Sequence, residues 1–526
     1  MTRRERWMVL FWHLPSLLSL FGIETPASGI QCHQRRGPPG RNESARQRIR
    51  QSLWECARFP AWTPAPPQQR AVFGNTIWNM ASTRRRFLQA GGAASLALGS
   101  AARARGQSAA NDKIQFATIG CGIMGQGDTA TAISVPGTKL VAVCDVYEGR
   151  LTRAKEHWGA ELFTTRDYRA VLARKDVDAV IVATPDHWHA RIAAEAMEAG
   201  KDVYVQKPMV KQWQDGHRLI ETSQRTRRIL QVGSQRVSSV IYKKAQELYR
   251  AGSIGTLNAV EAWIDRNSAL GAWRYSIPPD ANPATIDWDR FLGDAPKRPF
   301  DPQRLFQWRN WNDYGTGVAG DLFVHLFSGI HFVLGSLGPT RVFAAGGIYF
   351  WKGDRDAPDI LVGLYDYPRT ESHPAFNLAL RVNFVCGGPE TGRFHFTGSE
   401  GVMTIADDVS LSKPAKETEP GESAGGFSKE TAAKIMAQHR ERYPEHLVTA
   451  ATMPEADEER YLAPRHYSDD FEHHTTFFNA VRSRQPVVED ATFGLRAAGP
   501  ALLANLSYYE GRIKHWDPVA MRVVES

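Results

Sequence analysis

The stretch Lys113-Ile-Gln-Phe-Ala-Thr-Ile-Gly120-Cys-Gly122-Ile-Met-Gly125 and the segment after it decide the fold. An apolar run of strand length leads into Gly120-x-Gly122-x-x-Gly125, and a helix-compatible stretch follows. Leu140-Val-Ala-Val-Cys-Asp145 reads as a second strand, and its last residue is an acid 20 positions after the third glycine. Strand, glycine-rich turn, helix and spaced acid together are the fingerprint of a dinucleotide-binding Rossmann domain.

Each residue of this fingerprint has a physical reason. The glycines allow a tight turn, a close approach of the backbone to a pyrophosphate, and close packing of helix on strand, while the helix N-terminus faces the phosphates. Asp145 accepts hydrogen bonds from ribose hydroxyls and repels a 2′-phosphate, which favours NAD over NADP. We therefore expect the cofactor to contact Gly120, Gly122, Ile123, Met124, Gly125 and Asp145.

The alternation of strands and helices continues to about residue 236. A strand from Asp178 ends at Thr184-Pro185, another from Asp202 ends at Gln206-Lys207, and a sixth strand follows at residues 229–235. Ligands of open parallel sheets lie beyond the carboxyl ends of the strands. The residues expected near the cofactor for this reason are Thr184, Pro185, His187, His189, Gln206 and Lys207. Two plainer interpretations stay open: His189 caps its helix, and Lys207 is a solvated loop residue.

A second domain is predicted over residues 237–526. Strand-like stretches at 342–350, 360–367, 376–384, 393–398 and 402–405 follow one another without helices, which favours an antiparallel sheet. Residues 410–465 are polar and read as a surface excursion, and a last helix near 492–511 is expected to pack back on the Rossmann domain. The predicted fold class is α/β: a parallel, doubly wound Rossmann domain (111–236) followed by an α/β domain with a large, mostly antiparallel open sheet.

Two features of the second domain indicate a substrate pocket. A long aromatic segment between residues 265 and 316 contains Trp311 and Tyr314, whose rings suit the apolar faces of sugars or simply fill a core. Asp321 and His325 lie one helical turn apart, where a carboxylate can orient an imidazole and raise its basicity. A purely structural pair is the alternative. Neither the five cysteines nor the spacing of histidines indicates a metal site.

The charge of +8 belongs to the N-terminal region. Residues 1–110 carry 16 basic and 4 acidic residues, whereas the remainder carries 48 and 52. No basic run suited to nucleic acid appears after residue 110, so nucleic-acid binding is not expected. The body also contains no uncharged apolar run long enough to span a bilayer.

The N-terminal region has the pattern of a twin-arginine export signal, and the alternatives are an ordinary basic-then-apolar signal or a buried helix. Thr83-Arg84-Arg85-Arg86-Phe87-Leu88-Gln89 is followed by an uncharged Gly/Ala/Leu stretch and an Ala102-Arg103-Ala104 cleavage pattern. Residues 80–104 thus resemble a twin-arginine signal peptide, recognised by the twin-arginine export machinery. The apolar stretch Trp7–Ile23 could be a secretory signal or an anchor, and residues 24–79 show no folding periodicity. We expect residues 1–79 to be a spurious or disordered extension with Met80 as the true start. The location expected is periplasmic or extracellular, or cytoplasmic if the signal is not used.

These pieces together resemble the glucose–fructose oxidoreductase, inositol dehydrogenase and rhizopine catabolism (Gfo/Idh/MocA) family over about residues 113–518. The resemblance rests on the glycine fingerprint with Asp145, Thr184-Pro185-Asp186-His187-Trp188-His189, Gln206-Lys207-Pro208, Asp321-x-x-x-His325 and Gly398-Ser-Glu-Gly401. It implies oxidation or reduction of a sugar or cyclitol hydroxyl through NAD(P). Lys207 would lie beside the nicotinamide, His325 would take the hydroxyl proton, and Asp321 would orient the substrate or His325. Gln206 departs from the family motif, where Glu is usual, and removes a partner of Lys207.

Export adds a constraint to the function that the resemblance implies. A folded protein sent out of the cytoplasm must carry its cofactor with it, so NAD is expected to be held tightly and recycled on the protein. The alternatives are an NAD-dependent glycoside hydrolase that uses transient oxidation and elimination, and a non-catalytic sugar-binding protein. The expected partners are a sugar or glycoside and a second copy of the chain in a dimer or tetramer.

Overall fold

The computed structural model describes residues 113–413, 422–442 and 457–524. The predicted extension (1–79) and signal peptide (80–104) lie outside these residues. Within the described part of the chain, no helix combines the length and the apolar character needed to cross a bilayer.

The first domain alternates strands with helices from residue 114 to residue 233. Its strands are β1 (Ile114–Ile119), β2 (Thr138–Cys144), β3 (Phe163–Thr165), β4 (Ala179–Val182), β5 (Asp202–Gln206) and β6 (Leu230–Gly233). The helices between them are α1 (Ile123–Ser134), α2 (Glu148–Trp158), α3 (Tyr168–Leu172), α4 (Asp186–Glu198) and α5 (Trp213–Thr226). All strand pairs are parallel and the order is β3-β2-β1-β4-β5-β6. This order confirms the predicted Rossmann domain.

The central strands of this sheet are buried on both faces. Every residue of β4, β5 and β6 is buried. Helices cover both sides of a parallel sheet, so such strands are apolar without alternation. The run Ala179–Val182 follows that rule, and its carboxyl end opens directly into the Thr184-Pro185 turn.

The second domain is built on a ten-stranded sheet. Its strands are β7 (Leu257–Asp265), β8 (Arg341–Gly347), β9 (Ile360–Tyr367), β10 (Phe376–Asn383), β11 (Thr391–Gly398), β12 (Val402–Ile405), β13 (Asp408–Lys413), β14 (Asp457–Leu462), β15 (Lys514–Asp517) and β16 (Arg522–Val524). The order is β14-β13-β12-β11-β7-β10-β9-β8-β15-β16, and β7 with β10 is the parallel pair in an otherwise antiparallel sheet. The predicted mostly antiparallel sheet is thereby confirmed.

The helices of the second domain lie between these strands in sequence. They are α6 (Val240–Arg250), α7 (Trp288–Leu292), α8 (Pro302–Phe306), α9 (Val324–Leu334), α10 (Glu422–Gly425), α11 (Lys429–Arg442), α12 (Asp469–Ser483) and α13 (Ala491–Glu510). Buried and exposed residues alternate along β9 and β10, so one face of the sheet meets the core and the other meets solvent.

Helix α13 returns to the first domain. Gly494 faces Val232 of β6, where a Cβ would lie 2.6 Å from the Val232 Cγ2 atom, and Leu495 fills the space above Gly216 of α5. A glycine at each of these two crossings lets the backbone approach closely. The C-terminal helix thus packs against both β6 and α5 of the Rossmann domain.

The segment predicted as a surface excursion contains regular structure. Residues 408–413 and 457–462 pair with each other as β13 and β14 at the edge of the sheet. Between them, α11 has no buried residue. β14, Asp457-Glu-Glu-Arg-Tyr-Leu462, is mostly polar and lacks the alternation that identifies a strand. β13 does alternate, and its Val409 and Leu411 side chains are buried.

Candidate active site

The glycine fingerprint forms a tight turn between β1 and α1. Gly120 has φ = +90°, and a Cβ there would lie 2.6 Å from the Ala183 carbonyl carbon. A Cβ on Gly125 would lie 1.9 Å from the Gly120 carbonyl oxygen. Both positions therefore require glycine on steric grounds, as expected from the tight turn and the close packing of helix on strand.

The start of α1 is open for an anion. Gly122 is its N-cap and supplies no side-chain hydrogen bond, so the first backbone N–H groups are free to bind a phosphate. Ile123 and Met124 are 67% and 39% exposed at this end, which leaves two apolar side chains beside the phosphate position. A cradle of backbone N–H groups closed by Gly120 and Gly125 fits a dinucleotide pyrophosphate.

Asp145 lies immediately beyond β2 and next to this turn. Its Oδ2 atom accepts a hydrogen bond from the Cys121 N–H at 2.8 Å, and its Oδ1 atom accepts one from the Tyr147 N–H at 3.0 Å. The Arg150 guanidinium approaches Oδ2 at 3.4 Å. The carboxylate is thereby fixed in the position that recognises a ribose in this fold.

The Thr184–His189 turn is held by its two histidines. His189 is buried, with Nδ1 2.8 Å from the Pro208 carbonyl oxygen and Nε2 2.8 Å from the Thr184 carbonyl oxygen, so it joins the end of β4 to the residue after Lys207. The plain interpretation of His189 as a helix cap is not what the structure shows. His187 Nε2 lies 2.9 Å from the Phe291 carbonyl oxygen, and burial lowers the pKa of His187 to about 4. The Thr184 hydroxyl is buried without a hydrogen-bond partner among the described residues.

Lys207 is buried at the carboxyl end of β5 and reaches the second domain. Its Nζ atom donates to the Asp321 backbone carbonyl and to Asp321 Oδ1, both at 2.9 Å. The Arg309 Nε–H donates to the same Oδ1 atom at 3.1 Å. With 9% of Lys207 exposed, the interpretation as a solvated loop residue is wrong.

Asp321 lies in a π-helical turn (Ala319–Phe323) that leads into α9, which begins at Val324. The predicted one-turn spacing from Asp321 to His325 is therefore interrupted. No hydrogen bond joins the His325 ring to Asp321 among the described residues, and the Asp321 Oδ1 atom instead accepts from Lys207 and Arg309. π-turns of this kind occur often at functional sites.

The charged groups of the site shift one another's pKa values. Burial alone would raise the pKa of Asp321, but the charges of Lys207 and Arg309 outweigh it and hold that pKa well below its usual range. Burial lowers the pKa of Lys207, and the Asp321 carboxylate opposes this effect. Burial and then the Lys207 charge lower the pKa of His325 well below 6.5. His325 is consequently a neutral imidazole at neutral pH.

Gln206, the departure from the family motif, contacts a buried carboxyl group. Its Nε2 atom donates to Asp128 Oδ2 at 2.8 Å, and His474 Nε2 lies 3.6 Å from Asp128 Oδ1. Burial raises the pKa of Asp128 to about 7. Although position 206 is an amide, a carboxyl group is still close to Lys207, because Asp128 is hydrogen-bonded to the preceding residue, Gln206.

The two aromatic residues predicted to contact substrate lie in an aromatic cluster. Tyr314 is fully buried against Phe291 and His187, with ring centroids 4.8 and 5.4 Å away, so its ring has no face for a substrate and we assign it to the core. Trp311 is half-buried beneath Arg304, whose guanidinium carbon lies 3.9 Å from its ring centroid. The plainer interpretation of aromatic core filling therefore applies to Tyr314.

Arg309 and Asp128 are site residues that the sequence did not predict. Arg309 follows Trp308 in the long aromatic segment, and its guanidinium carbon lies 4.3 Å from that ring centroid. Nothing in its spacing distinguishes it from the other arginines of the segment. Asp128 lies three residues after the last fingerprint glycine and shares the buried face of α1 with Gly125, Thr129 and Ala132. Its spacing from Gly125 was the signal available in the sequence.

Two family models match the chain in the order of its domains. The model for an oxidoreductase family with an NAD-binding Rossmann fold matches residues 114–234, and the model for the C-terminal α/β domain of the same family matches residues 269–343. The two matched segments therefore resemble the two domains of the Gfo/Idh/MocA oxidoreductase family. The match of the first domain to an NAD-binding Rossmann model agrees with the geometry of its glycine turn.

Curated relatives match over short stretches of the chain. A glycosyl hydrolase family 109 protein of Shewanella baltica is 33% identical over 125 residues, covering 22% of this chain and 27% of the relative. An inositol 2-dehydrogenase of Salmonella typhimurium is 32% identical over 139 residues, covering 26% of this chain and 41% of the relative. The chain therefore matches less than half the length of these relatives.

Solved structures match the whole two-domain fold. A levoglucosan dehydrogenase in complex with NADH and levoglucosan gives a TM-score of 0.55 at 15% identity, covering 76% of this chain and 98% of that chain. An oxidoreductase domain protein from Kribbella flavida gives a TM-score of 0.56 at 17% identity, covering 77% and 99%. At these identities the likeness establishes the fold.

Proposed function

We propose that this protein transfers hydride between NAD and a hydroxyl-bearing carbon of a sugar, a cyclitol or a related compound. The observation that carries the proposal is the buried Lys207–Asp321 pair at the carboxyl end of β5, with the neutral His325 imidazole beside it. The position agrees with the crevice beyond the strand ends where this fold binds ligands. Relatives named inositol 2-dehydrogenase and a structural neighbour named levoglucosan dehydrogenase support the substrate class.

Three side chains, His325, Lys207 and Asp321, act together in the removal of a proton from the substrate hydroxyl. NAD, when bound, supplies the hydride acceptor. His325 is uncharged and accepts the hydroxyl proton as a general base. The Lys207 ammonium stabilises the negative charge that grows on the oxygen, and Asp321 holds that ammonium in place through two hydrogen bonds. One proton passes to His325 and one hydride leaves the carbon, so the hydroxyl becomes a carbonyl.

The proposal is tested on the purified protein after loading with NAD. A panel of free sugars, cyclitols and glycosides is added, and absorbance of reduced nicotinamide at about 340 nm is followed. Lys207→Ala should lower the reduction rate by at least about a hundredfold. The exposed Lys243→Ala is the matched control and should react as the parent does. Unchanged activity in Lys207→Ala would exclude the assigned role of this lysine.

A second candidate is a glycoside hydrolase that oxidises its substrate transiently. The family 109 relatives support it, although the match covers only 27% of the relative. In that case the glycosidic bond is cleaved with uptake of deuterium from heavy water and without net reduction of NAD. Stable nicotinamide reduction without cleavage supports the dehydrogenase, and binding without either change supports a sugar-binding protein.

We also propose that the protein is exported by the twin-arginine machinery with NAD already bound, and that it assembles as a dimer or tetramer. The signal-like residues 80–104 support the first statement. The exposed face of the ten-stranded sheet carries Phe343, Val362 and Leu364, each at least 40% exposed, which supports the second. Fractionation of cells and light scattering of the purified protein test the two separately.

A further inference from the structure

Arg309 and Lys207 meet at a single oxygen atom of the proposed active site. The Arg309 Nε–H donates to Asp321 Oδ1 at 3.1 Å, and Lys207 Nζ donates to the same atom at 2.9 Å. The Lys207 ammonium has three N–H donors and gives a second one to the Asp321 carbonyl oxygen, so one donor is left for a ligand. Direct contacts therefore tie Arg309 to the ammonium group that we assign to the reacting hydroxyl.

The Arg309 guanidinium is held by two contacts and keeps free donors. Its Nε–H is bound to Asp321, and its guanidinium carbon lies 4.3 Å from the Trp308 ring centroid, which covers one face of the guanidinium plane. In the part of the chain that the structure describes, neither Nη1 nor Nη2 of Arg309 forms a hydrogen bond, and 19% of the side chain is exposed. A guanidinium fixed in this way presents its Nη–H groups to an acceptor without further loss of rotamer freedom.

The charges around Arg309 favour an uncharged ligand group over an anion. A second acid, Asp186, is buried close to Asp321 and accepts a hydrogen bond from the Thr316 hydroxyl at 2.7 Å. Thr316 lies against Gly320, the residue before Asp321, since a Cβ on Gly320 would be 2.1 Å from the Thr316 Cβ. The two cations of the site thus have two acids close to them, and a further anion is not needed to compensate their charge. A hydroxyl oxygen is the acceptor that suits the free Nη–H groups.

We infer that Arg309 binds a second hydroxyl group of the substrate, on the ring carbon next to the reacting one. The reacting hydroxyl lies at Lys207, and the neighbouring hydroxyl oxygen accepts a hydrogen bond from Arg309 Nη1 or Nη2. Sugars and cyclitols carry hydroxyl groups on adjacent ring carbons, so such a pair matches two donors that share one carboxylate oxygen. The substrate class narrows to polyols in which the neighbouring hydroxyl is present and unsubstituted. This inference rests on the proposed function, because it names a feature of the substrate of that same site.

The test compares polyols that differ by one hydroxyl group. Dissociation constants of D-glucose, D-galactose and myo-inositol are measured by titration calorimetry with the purified NAD-loaded protein, followed by those of the monodeoxy analogues of the compound that binds most tightly. In the parent, removal of a hydroxyl should weaken binding by about tenfold or more at two adjacent ring carbons. Arg309→Gln should reduce this loss to about threefold or less at one of the two carbons and leave it unchanged at the other.

Two further variants separate the free Nη–H groups from the charge of Arg309. Arg309→Lys keeps a positive charge, but an ammonium that bonds Asp321 has no second nitrogen to offer, so this variant should show the same reduced loss as Arg309→Gln. Arg298→Gln replaces an arginine of the same aromatic segment whose side chain is 42% exposed, and it should keep the parental pattern.

The outcomes separate the inference from the function on which it rests. The hydroxyl contact of Arg309 is overturned if none of the three polyols binds, if the parent lacks two adjacent sensitive carbons, or if Arg309→Gln keeps the parental pattern. The expected binding pattern without any reduction of NAD supports the contact and contradicts the proposed hydride transfer. Reduction of NAD by a polyol whose binding pattern does not depend on Arg309 supports the function and overturns the contact. Circular dichroism of each variant shows that it is folded when it is measured.

Discussion

Replacement of Asp128 by Asn tests whether a neutral carboxyl group lies behind Gln206. Asp128 is 3% exposed, and burial raises its pKa to about 7 against an ordinary 3.8. His474 Nδ1 lies 2.9 Å from the Asp470 carbonyl oxygen, so Nδ1 carries the proton and Nε2 is left as an acceptor facing Asp128. A protonated carboxyl group or an Asn amide suits that acceptor better than a carboxylate does.

The size and sign of the change in the free energy of unfolding follow from the pKa values of Asp128 in the folded protein and in the unfolded chain. Between pH 3.8 and pH 7 the folded protein retains a proton that the unfolded chain has lost. The free energy of unfolding of the parent therefore falls as the pH rises, by up to about 1.4 kcal/mol per pH unit and about 4 kcal/mol in all. Asn does not ionise, so Asp128→Asn should gain stability relative to the parent across this window by the same amount.

Chemical denaturation of parent and variant from pH 4 to pH 8, at constant ionic strength, measures this difference. The expected result is a variant close to the parent near pH 4 and clearly more stable at pH 8. Asp289→Asn, which replaces an acid with 91% of its side chain exposed, is the control and should show no such trend. If the free energies of unfolding of Asp128→Asn and of the parent differ by the same amount at every pH, the folded protein holds Asp128 ionised, and the reasoning is refuted.

Two further substitutions test the cofactor cradle and the buried ion pairs. Gly125→Ala places a Cβ 1.9 Å from the Gly120 carbonyl oxygen and should weaken NAD binding by at least about tenfold, whereas Gly127→Ala, with no atom within 4 Å, should bind as the parent does in calorimetry. Asp321→Asn leaves two buried cations without a carboxylate and should lower the free energy of unfolding by about 3 kcal/mol in urea titrations; a loss below about 1 kcal/mol would show that the pairs contribute little.

The fingerprint could be predicted because all its requirements are local. Gly120, Gly125 and Asp145 lie within one strand–helix–strand unit, and each is required by a turn or a contact within that unit. The position of Lys207 followed from the same logic, since the end of a parallel strand is a fixed place in this fold. The family resemblance added the proposed partners of Lys207 on the second domain.

Other parts of the site depend on contacts between distant segments. Arg309 reaches Asp321 only through the course of a long loop. The π-turn at Asp321 inserts an extra residue into a helical pattern, and periodicity does not reveal it. Tyr314 could not be assigned to core or pocket, because an aromatic ring suits both.

Transfer of deuterium from substrate to nicotinamide tests the central claim most directly. The NAD-loaded protein is incubated with sugars and cyclitols that carry deuterium on their carbons, and the cofactor is then released and weighed by mass spectrometry. The account predicts a cofactor heavier by one deuterium with at least one substrate of the panel, and no such gain in Lys207→Ala. Substrate binding with no deuterium in the cofactor for any member of the panel would contradict it.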